Sequence, residues 1–358
     1  MKTEGIDTSA FGTSYMDFSP EERSEEHPTL LVVEDDPAML VALRDILEGA
    51  GYQVHTAPNG DAALKELEGI EPSLILSDIS MPVMDGIELF EHVRERPEGA
   101  AIPFIFLTAR GTREDIFAGK SLGADDYITK PVTSQELLSA VQARLQRTDE
   151  LMVAQLKAAY KASLMALANA IEARDMYTRD HVERVNAYVQ AMAEHLGWGP
   201  QRRSALEFGA ILHDVGKIAV RESVLSKTGP LGKDEWQEMR EHPIVGARMI
   251  EGIPYLAPAI PVVLYHHERW DGSGYPEGLE GDDIPEEARL LAVADTFDAM
   301  TSDRPYREAL PVSLAYETII DEAGKLFDPT MVEAFATCWE EGTLDDIRNG
   351  SFSRTGAG

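Results

Sequence analysis

Cysteine is almost missing from this 358-residue chain: Cys338 stands alone, which excludes an internal disulfide framework and a thiolate zinc site. One thiol fits a reducing compartment, and a cytoplasmic location is expected. No run of 18 apolar residues occurs, so no membrane-spanning helix is expected. Met1–Pro28 lacks the apolar core of a signal peptide. Positive charge is scarce as well, with 32 Lys+Arg against 63 Asp+Glu and a formal net charge of −31. Non-specific attachment to DNA or to an anionic membrane is thereby disfavoured, and no basic recognition helix is found. Hydrophobic residues make up an ordinary 44%, and the length suffices for two domains, each with its own core.

Histidine, by contrast, is concentrated in the C-terminal half. Ile211-Leu212-His213-Asp214-Val215-Gly216-Lys217 places an adjacent His–Asp directly behind two apolar residues, with a Lys four positions after the His. Helical spacing would put His213 and Lys217 on one face beside Asp214. Burying a carboxylate and an imidazole next to Ile and Leu is costly unless something pairs with them, and a metal ion is the usual partner. His181, His242, the doublet His266-His267, and Asp295 at the end of an apolar run are further ligand types. Singly, each is more readily a satisfied core residue or a surface histidine. Seven of them between positions 181 and 295 point to a metal site. Imidazoles with bridging carboxylates suit iron, manganese, zinc or nickel, and two carboxylates among five imidazoles can hold two ions.

His213-Asp214, His266-His267-Glu268, Asp271-Gly272-Ser273-Gly274-Tyr275-Pro276 and Ala294-Asp295-Thr296-Phe297-Asp298-Ala299-Met300-Thr301 closely resemble the HD-GYP family. Its members are HD-superfamily phosphodiesterases that hydrolyse the bacterial second messenger cyclic di-GMP. The resemblance runs from about Ala159 to about Cys338 and implies an all-α domain, expected over 160–345, before a disordered tail over 346–358. It further implies that His181, His213, Asp214, His242, His266, His267 and Asp295 bind the metals. Asp214 is then the bridging carboxylate of catalysis, and Lys217 contacts the scissile phosphate. Arg304 and Arg307 are suited to phosphate by bidentate hydrogen bonding, and Tyr275 lies in the family loop placed near the metals for substrate or partner contact.

Some family members carry a Glu four residues before the first metal His and bind a third ion, an arrangement associated with hydrolysis on to GMP. Here Tyr177 stands at that position, and a phenol is a poor ligand at neutral pH. Two ions of iron, manganese or nickel are therefore expected, with linear pGpG as the main product. Diguanylate cyclase (GGDEF) domains are an expected class of partner. The acidity of the chain opposes an anionic dinucleotide, so metal ions and a few Lys or Arg must invert the field locally.

Residues 1–27 are polar and unpatterned, a disordered leader. From Thr29 to Arg147 short apolar runs alternate with amphipathic segments. Leu30–Val33, Gln53–Ala57, Leu74–Ser77, Ile102–Leu107 and Asp126–Ile128 read as strands, and the segments after them, ending with Ser134–Arg147, as helices. The pattern predicts an α/β doubly wound domain over 28–147, a five-stranded parallel sheet with helices on both faces. Ligands of such sheets bind at the carboxyl ends of strands, where Glu34, Asp35, Asp78, Thr108 and Lys130 lie. Three carboxylates converging there would hold Mg²⁺. Asp78 could then attack an incoming phosphoryl group, with the cation and Lys130 offsetting its charge. Asp36 and Asp78 could instead be simple helix caps, although capping requires neither Lys130 nor a carboxylate pair at the first strand.

Leu31–Asp36, Asp78–Gly86, Leu107-Thr108-Ala109 and Thr129-Lys130-Pro131 resemble a CheY-like response-regulator receiver domain, over about 29–147. This implies phosphorylation of Asp78 by a cognate histidine kinase. It also implies Mg²⁺ on Glu34, Asp35, Asp78 and the Ser80 backbone carbonyl, with Thr108, Tyr127 and Lys130 forming the switch. Glu34 replaces the commoner Asp and keeps the charge.

Between the two domains, 135–170 reads as a nearly continuous linker helix, with Val141, Leu145, Leu151, Leu156, Leu164 and Leu167 recurring without Pro or Gly. Its apolar stripe either pairs with a second copy, giving a homodimer, or packs on its own domains. The expected protein is a two-component response regulator whose output domain is a metal-dependent cyclic di-GMP phosphodiesterase regulated through Asp78. The alternative is a cyclic-dinucleotide-binding effector with little turnover, acting by protein contact. Cyclic GMP-AMP is a further candidate substrate, since no base-reading residue can be identified.

Overall fold

In the computed structural model, the described residues are 27–96, 99–109, 126–174, 180–303 and 308–350. The chain divides between Lys157 and Ala158 into two compact units. Most of the expected leader and the last eight residues of the expected tail lie outside the described residues.

The first unit is built on a five-stranded sheet: β1 (Thr29–Val33), β2 (Gln53–Ala57), β3 (Leu74–Asp78), β4 (Phe104–Ala109) and β5 (Asp126–Lys130). All neighbouring strands pair in parallel, in the order β2-β1-β3-β4-β5. Successive side chains alternate faces, so nearly every strand residue must be apolar to be covered on both. Leu31, Val33, Ile75 and Phe106 pack with Leu89, Phe90 and Val93 of helix α3 (Gly86–Arg94). Leu30, Val32, Leu76 and Leu107 pack with Leu43 and Leu47 of α1 (Pro37–Gly49) and with Leu137 and Val141 of α4 (Ser134–Glu172). A short helix, α2 (Gly60–Glu66), follows β2. The segment after β4, expected as a helix, lies outside the described residues.

Several strand boundaries differ from the sequence pattern. The fourth strand starts at Phe104 rather than Ile102, because Pro103 has no N–H to contribute to a ladder. The third and fifth strands extend to Asp78 and Lys130, carrying both side chains onto the carboxyl edge of the sheet. Strand order reverses at β1, between β2 and β3, which sets Glu34 and Asp78 side by side.

Helix α4 runs for 39 residues without interruption and includes the boundary between the units. The second unit is helical: α5 (His181–His195), α6 (Pro200–Leu212), α7 (Glu222–Leu225), α8 (Lys233–Met239), α9 (His242–Ile250), α10 (Ile260–Tyr265), α11 (Glu286–Thr301), α12 (Val312–Asp321), α13 (Pro329–Glu340) and α14 (Thr343–Arg348). Its core joins Val185, Tyr188 and Met192 of α5 to Leu206 of α6, Leu290 and Phe297 of α11 and Phe335 of α13. The packed chain continues beyond position 345, where a tail was expected: Leu344 and Ile347 are buried and hold α14 against this core. Among the described residues, no helix is long and apolar enough to cross a membrane.

Candidate metal centres

At the carboxyl edge of the sheet, Lys130 Nζ donates to Glu34 Oε2 at 2.6 Å and to Asp78 Oδ2 at 2.7 Å. Glu34 is buried and Asp35 exposed, and one oxygen of each lies close enough to Asp78 for a shared cation. Burial, together with the charge of Asp78, raises the pKa of Glu34 against the pull of Lys130. Burial disfavours the Lys130 ammonium, but hydrogen bonds to Asp78 and Glu34 outweigh it and raise its pKa. The backbone N–H of Ser80 lies 3.4 Å from Asp78 Oδ1. Thr108 is buried at the end of β4, and Tyr127 stacks on Phe106 with ring centroids 5.6 Å apart. Capping explains Asp36, whose carboxylate accepts from Ala38 N and Met39 N, but not Asp78.

In the second unit, His181 opens α5, His213 closes α6, His242 opens α9, His266 and His267 follow α10, and Asp295 lies on α11. Four imidazoles turn Nδ1 toward an oxygen that only accepts. That oxygen is Asp298 Oδ2 at 2.6 Å for His181, and the carbonyl three residues back for His213 (2.8 Å), His242 (2.7 Å) and His266 (2.8 Å). Nδ1 therefore carries the proton, and Nε2 is left to face inward as a ligand.

Those nitrogens converge on Asp214. Its Oδ1 is 3.1 Å from His242 Nε2 and 4.0 Å from His266 Nε2, whereas Oδ2 is 3.3 Å from His213 Nε2. His181 Nε2 and Asp295 Oδ1 are 3.5 Å apart. Two ligands on one ion, with bonds of about 2.1 Å, are roughly 3.0–3.4 Å apart for octahedral to tetrahedral angles. The donors form two groups that share Asp214, His181 and His213 in one and His242, His266 and His267 in the other, with all donor atoms of a group within 4.8 Å of one another; Asp214 to His242 and to His213 match the co-ligand spacing. Nε2 of His213 is buried with no hydrogen-bond partner among the described residues, as a metal ligand would be. The residues fit a pair of divalent ions.

The electrostatics agree. Burial alone would neutralise Asp214, but Lys217 and His213 hold it well below the usual carboxylate range. Burial opposes the His213 imidazolium, yet Asp214 and Asp295 push its pKa up to about 9. His266 and His267 are kept well below the usual imidazole value by burial and by neighbouring imidazoles, so both remain neutral and ready to ligate.

The helical spacing expected for His213–Lys217 is not what forms. Helix α6 stops at Leu212, and Val215–Ala219 is a tight 3₁₀ turn. Gly216 is the cause: a Cβ there would lie 1.9 Å from the carbonyl oxygen of His242 and 2.6 Å from Gly246 N. Backbone meets backbone, and His242 is thereby brought to Asp214. Lys217 still reaches Asp214 Oδ2, at 2.7 Å, from a buried position.

Gly274-Tyr275-Pro276 is pinned beside the centre. Glu268 is buried and accepts from Glu277 N at 2.7 Å and Gly278 N at 3.0 Å. A Cβ on Gly274 would lie 2.5 Å from Glu268 Cα, so the loop folds back only with glycine there. Tyr275 stacks on His267, with centroids 4.7 Å apart, and Arg240 covers its other side at 4.6 Å.

Two carboxylates of the site have no role in the sequence reading. Asp298 orients His181 and also accepts from Arg184 Nε at 2.6 Å and Nη2 at 2.9 Å; against burial, these partners lower its pKa. Glu172, the last residue of α4, is buried with Oε1 3.5 Å from His181 Nε2. Asp298 sits inside the motif quoted for the family, whereas the only cue to Glu172 is a lone carboxylate between Ile171 and Ala173. Arg304, Arg307 and Tyr177 lie outside the described residues.

Residues 30–142 match the response regulator receiver domain, and residues 165–331 match the HD domain. The chain is 35% identical to a probable cyclic di-GMP phosphodiesterase of Vibrio cholerae, covering 89% of this chain and 79% of that one. It is 34% identical to the cyclic di-GMP phosphodiesterase response regulator RpfG of Xanthomonas campestris pv. campestris, covering 87% of this chain and 88% of the relative. A shorter match, 35% identical over 53% of this chain and 37% of the other, is to 3'3'-cGAMP-specific phosphodiesterase 2 of Vibrio cholerae.

Proposed function

Since the chain belongs to the family of cyclic di-GMP phosphodiesterase response regulators, we propose that its helical unit hydrolyses cyclic di-GMP under the control of Asp78. The observation that carries this reading is Asp214, one carboxylate whose two oxygens face separate sets of histidines. His181, His213, Asp214 and Asp295 hold one ion, and Asp214, His242, His266 and His267 the other. Iron, manganese or nickel suits such mixed imidazole–carboxylate sites. Bound there, two divalent ions supply a water nucleophile at neutral pH and polarise the phosphoryl group.

The protein's own groups do the rest. Lys217, ion-paired to Asp214 at 2.7 Å, brings a positive charge to a phosphoryl oxygen and offsets the acidity of the chain. Tyr275, held between His267 and Arg240, ties the Gly274–Pro276 loop to the histidine cluster and keeps its ring edge and hydroxyl for substrate contact. Arg304 and Arg307, which lie outside the described residues, are proposed as further phosphate-binding groups from their chemistry alone. Opening one phosphodiester bond gives linear pGpG, the product we assign.

In the first unit, Asp78 accepts the phosphoryl group from a histidine kinase. Glu34, Asp35, Asp78 and the Ser80 carbonyl hold Mg²⁺, while Lys130, Thr108 and Tyr127 register the change. Diguanylate cyclase domains are proposed partners. A second copy pairing along the exposed Leu151, Met152 and Leu156 of α4 is another. The messenger is cytoplasmic, and so, on this reading, is the protein.

The test is hydrolysis of cyclic di-GMP by metal-reconstituted protein, with products resolved by chromatography, beside a His213→Ala, Asp214→Ala double variant. Turnover to pGpG that the double variant abolishes supports the reading. Tight binding without turnover, across iron, manganese and nickel, would replace it with the effector reading. Because the cGAMP-specific relative is as similar over its shorter match as the cyclic di-GMP relatives are, 3'3'-cGAMP belongs in the same assay. Preferential hydrolysis of that substrate would correct the specificity.

A further inference from the structure

We propose that Glu172 is itself a ligand of the ion at the His181–His213 position, supplied by the last residue of the helix that begins in the receiver. The inference rests on the metal-centre reading above. Glu172 lies nine residues before His181, not at the four-residue position occupied by Tyr177. It is therefore a carboxylate arriving from a different turn of the chain.

Three observations carry it. The Glu172 side chain is only 7% exposed. Its Oε1 is buried with no hydrogen-bond partner among the described residues. A buried carboxyl without a hydrogen bond is destabilising unless another partner is intended. That oxygen faces His181 Nε2 at 3.5 Å, the same distance at which Asp295 Oδ1 stands from the same nitrogen. A hydrogen bond between a carboxyl and an imidazole would be shorter, roughly 2.6–3.2 Å. Two donors sharing an ion would be about 3.4 Å apart at tetrahedral angles. The spacing is that of co-ligands.

Neighbouring cations hydrogen-bond other carboxylates. Arg184 donates to Asp298, and Lys217 is paired with Asp214. With Glu172 included, one position offers His181, His213, Asp214, Asp295 and Glu172, three of them carboxylates. The other offers Asp214 and the imidazoles of His242, His266 and His267. The two positions then differ in hardness, and Mn²⁺ or Fe²⁺ suits the carboxylate-rich one, while the imidazole-rich one also takes Ni²⁺ or Zn²⁺.

The experiment is Mn²⁺ binding to the full-length protein, by equilibrium dialysis with elemental analysis and by Mn²⁺ EPR. It compares wild type, Glu172→Gln, Glu172→Asp and His213→Ala, with folding checked by circular dichroism. Gln mimics a neutral buried acid, so a purely structural Glu172 would leave metal binding untouched. The expected result is two ions in wild type. In Glu172→Gln one of them binds at least about 10-fold more weakly, the size of loss seen when groups supporting a metal site are removed, and His213→Ala loses the same ion. Should Gln loosen the helix end, Glu172→Asp retains the charge, withdraws the carboxylate by one methylene and must still weaken that ion. Wild-type affinity for both ions in Glu172→Gln would overturn the assignment and leave the centre intact. Wild type that takes up no metal would overturn the centre, and this ligand with it.

Discussion

Nδ1 of His181 donates to Oδ2 of Asp298 at 2.6 Å, in a pair of which both members are almost wholly buried. The carboxylate selects the tautomer that leaves Nε2 as the ligand, and Arg184 holds the carboxylate in place. Asp298→Asn removes the charge, and its amide competes for the orientation of the ring. Metal affinity should fall by about 10- to 100-fold. The metal-free protein should lose on the order of 3 kcal/mol, since Arg184 is left beside a neutral partner. Dialysis and urea unfolding check both. Unchanged metal affinity would remove Asp298 from any role in positioning His181.

Lys217→Ala separates substrate charge from metal charge. Lys217 sits 2.7 Å from Asp214 Oδ2 but offers no lone pair to a metal while protonated. Metal content should stay at the wild-type level, while kcat/KM for cyclic di-GMP falls by about 100-fold or more, the usual effect of deleting one transition-state donor. Loss of metal in step with activity would mean that Lys217 only braces Asp214.

Metal uptake should depend on pH in a defined direction. His213 is protonated in the metal-free fold up to about pH 9, because Asp214 and Asp295 outweigh its burial. Nε2 must lose that proton before it can ligate. Apparent affinity should therefore rise by close to tenfold per pH unit below about 9 and level off above it. Burial, with Asp214 adding, raises Glu172 to about 7, so the slope should steepen below that point. His266 and His267, kept neutral, contribute no slope. Proton release measured on metal addition, close to one per chain from His213 at neutral pH with a further fraction from Glu172, is the direct check. Uptake that does not change between about pH 7 and 9 contradicts the His213 assignment.

In the receiver, Asp78→Asn should abolish labelling by a small-molecule phosphoryl donor while the fold is retained. Lys130→Ala leaves Glu34 and Asp78 facing each other without the ammonium that bridges them at 2.6 and 2.7 Å. That variant should be less stable in chelator and regain part of the loss in Mg²⁺, as thermal unfolding would reveal. Equal stability with and without Mg²⁺ would argue against a shared cation at these carboxylates.

The sheet and the candidate metal ligands were legible in the sequence for a common reason: a chemical type stood where its surroundings made it costly. Acidic residues at the ends of apolar strands, and imidazoles beside apolar runs, have few cheap explanations. Glu172 escaped because a carboxylate on a long, charged helix is ordinary, and only the fold buries it. The His213–Lys217 stretch was misread as helix because periodicity is local, whereas the contact that ends α6 comes from a segment some thirty residues away. Ile102 was misplaced in a strand because its apolar character hid the effect of Pro103 beside it.

The crossing of Gly216 over the carbonyl of His242 has a consequence for how such a centre can diversify. Side chains set the donor chemistry offered by the two groups, whereas the approach of the Val215–Ala219 turn to α9 is set where main chain meets main chain. Substitutions among the candidate ligands would change the donor set while this backbone approach stays the same. Donor chemistry and the backbone frame that presents it therefore depend on separate positions in the chain.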